Sequence, residues 1–200
     1  MSRSTTEVAR TLFSRALEQG GYFTAKQARE VGYAYPHIEY HESTGNFERI
    51  GHGLYRLTSL PPGEYDDLVR LSFWSRDRAD RPQAVVSHDS ALVLHELSEL
   101  LPGKIHLTVP GTFRKAPPRG VVLHKATLSG SDIEERSGFR LTTPMRTLLD
   151  AAVSGVSQEE LQKAVSEALR RGLVRKSKLG DVVRTDPRLL RLRQALEGVA

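Results

Sequence analysis

An α+β fold is expected for this 200-residue chain, and three observations carry the expectation. Two capped helical patterns of period 3.6 follow one another between residues 24 and 44. The period then changes to 2 from Phe47 to Leu57. Beyond residue 64, short apolar runs at 84–86, 104–109, 121–125 and 139–141 alternate with helical stripes that continue towards the C-terminus. The expected architecture is a winged helix-turn-helix over 1–60, followed by a mixed α/β domain over 64–200 with a helical C-terminus. The segment Ser59-Leu60-Pro61-Pro62-Gly63 reads as the linker between them.

The chain opens with a capping-box pair, Ser4 and Glu7, and with Ala9, Leu12, Phe13 and Ala16 at i, i+3, i+4 and i+7. This predicts a supporting helix to about Gln19, stopped by Gly20-Gly21. Thr24 and Gln27 form a second capping box. Ala25, Ala28 and Val31 share one face of the helix it starts, and Gly32 ends that helix where a left-handed stop needs no Cβ. Pro36 suits the first turn of the next helix, with Ile38 facing inward and Gly45 at its end. Phe47, Ile50, Leu54, Tyr55 and Leu57 flank Gly51-His52-Gly53, whose glycines can supply the positive φ of a hairpin turn.

A helix-turn-helix followed by a hairpin would lay its second helix in a major groove and its hairpin tip near a phosphate or minor groove. Phosphate charge would come from Lys26, Arg29, Arg49 and Arg56. Base edges would be read by Tyr35, His37, Tyr40, His41 and Thr44, and Thr24, Gln27 and His52 complete the candidate set. The proposed reading helix also carries Glu39 and Glu42, which phosphates repel.

In the second domain, Tyr65, Leu68, Val69 and Ser72-Phe73 mark the buried side of a helix that ends in a charged run from Arg76 to Arg81. A strand at Ala84–Val86 leads into SHDSALVLHEL, read as a helix capped by Ser87 or Asp89 with Ala91, Leu92, Leu94 and Leu97 buried. Ser87-His88-Asp89 spells a hydrolase triad, but neighbours on one backbone cannot converge in the order nucleophile, base, orienter. The alternation Lys104 to Val109 predicts a strand half-exposed on one face. A basic Pro-rich loop, 112–120, separates it from strands at 121–125 and 139–141. Thr143 then caps a helix with Pro144 at its first position, running through Met145, Leu148, Leu149 and Ala152. Ser157 and Glu160 start a further helix, striped by Leu161, Ala164, Val165, Ala168 and Leu169 and stopped at Gly172. A final helix follows Pro187.

Composition narrows the function classes. There is no cysteine, hence no disulfide framework or thiolate metal site. The N-terminus lacks the apolar run of a signal peptide or membrane span, so a cytoplasmic location without membrane contact is expected. The net charge is +5 and the pI near 9.6. Residues 1–60 hold seven Lys/Arg against six Asp/Glu and 61–150 hold twelve against twelve, so the excess lies in 151–200, with ten against six. Arg170, Arg171, Arg175 and Lys176 head that basic run and are further candidates for contact with DNA backbone. His88, His95, His106 and His124 lack a short-spaced ligand pair such as HxxxH, so no metal is expected, nor any other cofactor. No cluster of carboxylates with a nearby Lys appears at a strand edge, which argues against a two-metal nuclease. The alternatives to a DNA-binding regulator are a protein- or RNA-binding adaptor using the same surfaces, and a nuclease-like enzyme.

Two blocks of sequence resemble the AbiEi antitoxins of type IV toxin–antitoxin systems. GGYFTAKQAREVG through FERIGHGLYRL, residues 20–57, is similar to that family's N-terminal winged helix. AVVSHDSALVLHELSELLPGKIHLTVP (84–110), GVVLHK (120–125) and LTTPMRTLLDAA (141–152) are similar to its antitoxin domain. In the second block the motif positions are Ser87, His88, Ser90, His95, Thr108, Thr143, Pro144, Arg146 and Asp150. The resemblance implies a non-enzymatic regulator that binds an operator inverted repeat on double-stranded DNA, as a dimer if two protomers share the site. It further implies repression of its own operon and a nucleotidyltransferase-like toxin as the partner to be counteracted. Relatives commonly carry an Arg-rich reading helix, whereas here it is acidic and aromatic. Some relatives also continue into a nuclease-like C-terminal domain, which is not expected here.

Overall fold

The computed structural model describes residues 5–99 and 102–199. The chain is α+β and divides into two compact units, residues 1–74 with 137–139 and residues 75–136 with 140–200.

The first unit begins with α1 (Thr5–Glu18), β1 (Tyr22–Thr24), α2 (Ala25–Val31) and α3 (Tyr35–Ser43), followed by β2 (Phe47–Gly51), β3 (Leu54–Leu57) and α4 (Asp66–Ser75). The strands form an antiparallel sheet in the order β1-β3-β2. This is a winged helix in which a first strand precedes the helix-turn-helix. β1 was not expected from sequence because three residues are too short to show a period. Tyr22 and Phe23 are nevertheless buried, and Phe23 packs edge-on against Phe47 at 4.9 Å and stacks on Tyr55 at 5.8 Å.

Leu12 and Ala16 of α1 enter the core as expected, but Ala9 and Phe13 are exposed, and Val8 packs inward instead. The inward stripe is therefore rotated from the one expected. The capping pair placed on Ser4 lies outside the described residues. The Tyr22 hydroxyl donates to the Asp66 carboxylate at 2.8 Å, and burial together with that carboxylate pushes the phenol up to about 12. Tyr22 and Phe73 rings lie 5.9 Å apart, so α4 packs into the same unit as β1.

The second unit carries a five-stranded sheet in the order β6-β5-β4-β8-β7, from β4 (Val85–Val86), β5 (Ile105–Val109), β6 (Val121–Lys125), β7 (Ile133–Arg136) and β8 (Phe139–Thr142). β4 is antiparallel to β5 and parallel to β8, and β5 is parallel to β6. The polar face of β5 grades from exposed Lys104 through half-buried His106 to buried Thr108, so the expected half-exposed face holds at the start of the strand and closes by its end. β7 was missed because IEER offers no apolar alternation.

Helices α5 (His88–Leu94), α6 (Pro144–Val153), α7 (Gln158–Arg170), α8 (Lys176–Thr185) and α9 (Leu190–Glu197) complete the unit. Thr143 and Ser157 cap α6 and α7 as expected, accepting from the amides of Arg146 and Glu160. Leu148, Leu161, Val165, Leu179 and Leu192 meet in one buried cluster. Arg191 donates to the backbone carbonyls of Ser154, at 3.0 Å, and of Val156, satisfying acceptors beyond the C-terminus of α6.

Candidate nucleic-acid interface

The helix-turn-helix is built by local chemistry. Thr24 Oγ accepts from the Gln27 amide at 3.1 Å while the Gln27 side chain accepts from the Thr24 amide at 2.9 Å, so both members of the box are engaged. Gln27 is buried and also bonds Gln19. Gly32 then ends α2 at φ +123, with its N–H bonded to the Ala28 and Arg29 carbonyls; a Cβ there would stand 3.2 Å from Val8. Pro36 occupies the first turn of α3, whose single buried residue is Ile38.

Stepping 100° per residue from Ile38 puts Pro36, Tyr40 and Ser43 at the outward pole of α3, flanked by His37 and Thr44 on one side and Glu39 on the other. Tyr40 is 62% exposed and Tyr35 55% exposed. The Arg29 guanidinium sits over the Tyr35 ring at 5.1 Å, joining α2 to the start of α3.

The structure sorts the sequence-derived candidates. Lys26, Arg29, Tyr35, His37, Tyr40, Arg49 and His52 are exposed on α2, α3 and the wing. Thr24 and Gln27 serve the capping box. His41 stacks on Phe47 at 4.7 Å and has Nδ1 3.3 Å from the Asn46 amide. Thr44 donates to the Tyr40 carbonyl at 2.9 Å. Arg56 bonds Glu48, its cross-strand neighbour, at 2.6 Å and the Leu60 carbonyl at 3.1 Å. Residues that read as polar and outward in sequence are thus partly employed in holding the fold. Glu39 was counted only as a repulsive charge, yet the helical step from Ile38 places it on the exposed flank of α3 opposite His37.

At the wing tip only one of the two glycines needs its conformational freedom. Gly53 has φ +67, while Gly51 pairs with Leu54 beyond a bulge in which Ile50 is the extra residue. The Gly53 carbonyl accepts from the Ala25 amide at 2.9 Å, which ties the wing to the start of α2.

In the second unit the motif residues form internal networks. Thr108 Oγ donates to Ser87 Oγ at 2.8 Å, and Ser87 lies 2.9 Å from His88 Nδ1. Ser87 stands at the N-cap position of α5 but makes no capping bond, because its hydroxyl is engaged sideways. Ser87 is 0% exposed, so the Ser87–His88 pair offers no nucleophile to solvent. His88 has the left-handed φ of +54 and stacks on His124 at 3.6 Å, and His124 Nε2 lies 3.2 Å from His106 Nδ1. Burial, then the neighbouring His124 and His106, pushes His88 down to about 3; burial likewise lowers His124. Three of the four histidines noted in sequence therefore meet. Among the described residues, however, no group of three or more His, Cys, Asp or Glu is arranged to hold a metal ion.

His95 is elsewhere, with Nε2 2.7 Å from the Thr142 carbonyl. Ser90 accepts from the His106 amide at 2.9 Å. Arg146 bonds Asp150 at 2.8 Å; burial raises the Asp150 carboxyl and Arg146 opposes the rise.

The C-terminal cations are largely engaged. Arg170 pairs with Glu167 at 2.6 Å and Arg171 with Glu96 at 3.2 Å, while Lys176 donates to the Val199 carbonyl at 3.0 Å. Arg184, Arg188 and Arg193 pair with Asp181, Asp186 and Glu197. Arg175 is exposed.

Residues 10–58 match the family described as "Transcriptional regulator, AbiEi antitoxin". The match covers the N-terminal segment alone. The match begins within α1 and ends just past β3, so it includes the helix-turn-helix and wing of the AbiEi-type domain. The chain also superposes on the crystal structure titled "RV2827C protein from Mycobacterium tuberculosis", at 16% identity and a TM-score of 0.55, over 100% of this chain and 79% of that one. This likeness concerns the fold. No curated protein matches the chain. Among the described residues, no helix is long and apolar enough to cross a membrane.

Proposed function

We propose that the chain is a DNA-binding regulator and antitoxin that represses its own operon through an inverted repeat and counteracts a nucleotidyltransferase-like toxin. The observation that carries this reading is the outward face of α3, with exposed Tyr40 and His37, and the Arg29 guanidinium of α2 seated over Tyr35, within the segment that matches a regulator family. In this reading α3 lies in the major groove, Lys26, Arg29 and Arg49 meet phosphates, and His52 lies near the backbone at the wing tip. Among the described residues, Lys26 and Arg49 have no ion-pair partner, so neither must break an internal pair to bind.

The test is a titration of labelled promoter fragments against scrambled ones at several salt concentrations. Specific binding should weaken steeply with salt, and Lys26→Ala or Arg49→Ala should each flatten the salt slope by about one unit on every sequence. Equal affinity for promoter and scrambled DNA would remove the regulator reading. The antitoxin half is tested separately, by co-expression with a nucleotidyltransferase encoded beside the gene. Unrelieved growth arrest would remove that half alone.

A further inference from the structure

Glu39 places a carboxylate on α3. It is exposed in the second turn of α3, on the flank opposite His37, and among the described residues it has no hydrogen-bond or ion-pair partner. Its neighbours on α3 include no lysine or arginine that could neutralise it. Against DNA backbone such a group is purely repulsive, but the major groove also exposes hydrogen-bond donors. An ionised carboxylate only accepts. The donors available to it are the exocyclic amino groups of cytosine and adenine. Adenine presents the N7 acceptor beside its amino group, which repels a carboxylate, whereas cytosine presents the amino group alone.

We propose that Glu39 is a specificity residue that selects a cytosine in the major groove of each half-site, accepting a hydrogen bond from its N4 amino group. The inference rests on the reading of α3 as the groove helix. Tyr40, the more exposed of the two tyrosines of α3, stands about 100° from Glu39 around the helix, where its ring can cover a neighbouring base edge or thymine methyl. The acidic character of the helix then becomes part of recognition. It removes sites at which guanine or adenine would face the carboxylate with acceptors, while Lys26 and Arg49 supply attraction to the backbone from α2 and the wing.

The experiment selects bound sequences from a pool of randomised duplexes, using the full chain and its Glu39→Gln and Glu39→Ala variants. The wild type should recover a cytosine at one position per half-site and lose roughly 5- to 150-fold in affinity when that base is changed. Glu39→Gln, which can both donate and accept, should shift that position towards adenine. Glu39→Ala should lose preference there and nowhere else. As a check that leaves the protein unaltered, placing 2-pyrimidinone, which lacks the amino group, at the selected cytosine should reproduce the loss with wild-type protein. A consensus unchanged by both substitutions, or unaffected by removal of the amino group, overturns the assignment while leaving the regulator reading in place. Recovery of no consensus at all by the wild type overturns both.

Discussion

The buried histidine at the start of α5 makes folding of the second unit sensitive to mild acid. His88 is 8% exposed, stacked on His124 and held neutral by burial, with its pKa pushed from 6.5 to about 3. The unfolded chain therefore takes up this proton first as pH falls. The stability owed to neutral His88 is fully present above about 6.5 and is lost progressively down to about 3. Between pH 7.5 and pH 5 the loss from this group alone is about 2 kcal/mol, at ~1.4 kcal/mol per pH unit below the unfolded value. For a chain of this size that lowers Tm by roughly 4–8 °C. His88→Asn removes the titration and keeps a residue that tolerates the φ of +54. Loss of the His124 stack would lower its stability by a similar amount at every pH, an offset and not a slope. Melting curves of both proteins at pH 7.5 and pH 5 should show the wild type losing the extra 4–8 °C. Equal losses in the two proteins, or a His88 ring resonance that titrates near pH 6.5, would refute the argument.

Four further outcomes are expected. Arg146→Ala leaves the Asp150 carboxylate, 3% exposed, without its partner and should cost about 2–4 kcal/mol in denaturant unfolding; adding Asp150→Asn should recover part of it. Thr24→Ala removes one bond of the capping box and should cost about 1 kcal/mol, read from the same curves. Gly53→Ala meets no atom within 4 Å, so its expected cost of about 1–2 kcal/mol is backbone strain at φ +67 alone, and Gly53→Asn should cost less. Replacing Arg170, Arg171, Arg175 and Lys176 together by Ala should flatten the salt slope of DNA binding by less than the Lys26→Ala/Arg49→Ala pair does, because three of the four already hold internal partners.

Elements bounded by side-chain chemistry were legible in the sequence. The Thr24–Gln27 box, Thr143 and Ser157 each name a helix start through a bond that four adjacent residues complete by themselves, and Pro36 names one through its fixed φ in the first turn of α3. What stayed hidden depends on partners distant in sequence. β1 exists because Tyr22 to Thr24 pair with Leu54 to Arg56, and nothing in YFT announces that pairing. The role of Ser87 reversed for the same reason, since Thr108, twenty-one residues away, holds its hydroxyl sideways. His41 read as a base contact, yet at i+3 from Ile38 it lies towards the inward side of α3, where Phe47 of the hairpin stacks on it.

Charge shows the same division most clearly. The excess of basic residues lies in 151–200, and on composition alone that segment would be the nucleic-acid footprint. Yet a footprint is made by cations that can reach phosphate without first leaving a partner, and a short-range acidic neighbour neutralises a cation whatever the sum over the chain. Arg170, Arg184, Arg188 and Arg193 each stand three residues after, two residues after or four residues before the carboxylate they pair with, so these four are screened locally, and among the described residues of this segment Arg175 and Lys178 are exposed without an ion-pair partner. In the winged helix the opposite holds. Its net charge is nearly zero, but Glu30 pairs with Arg15 and Glu48 with Arg56, which leaves Lys26 and Arg49 without an ion-pair partner among the described residues. The nearly neutral domain thereby keeps unpaired cations on α2 and the wing, which the proposed reading of α3 as the groove helix would use.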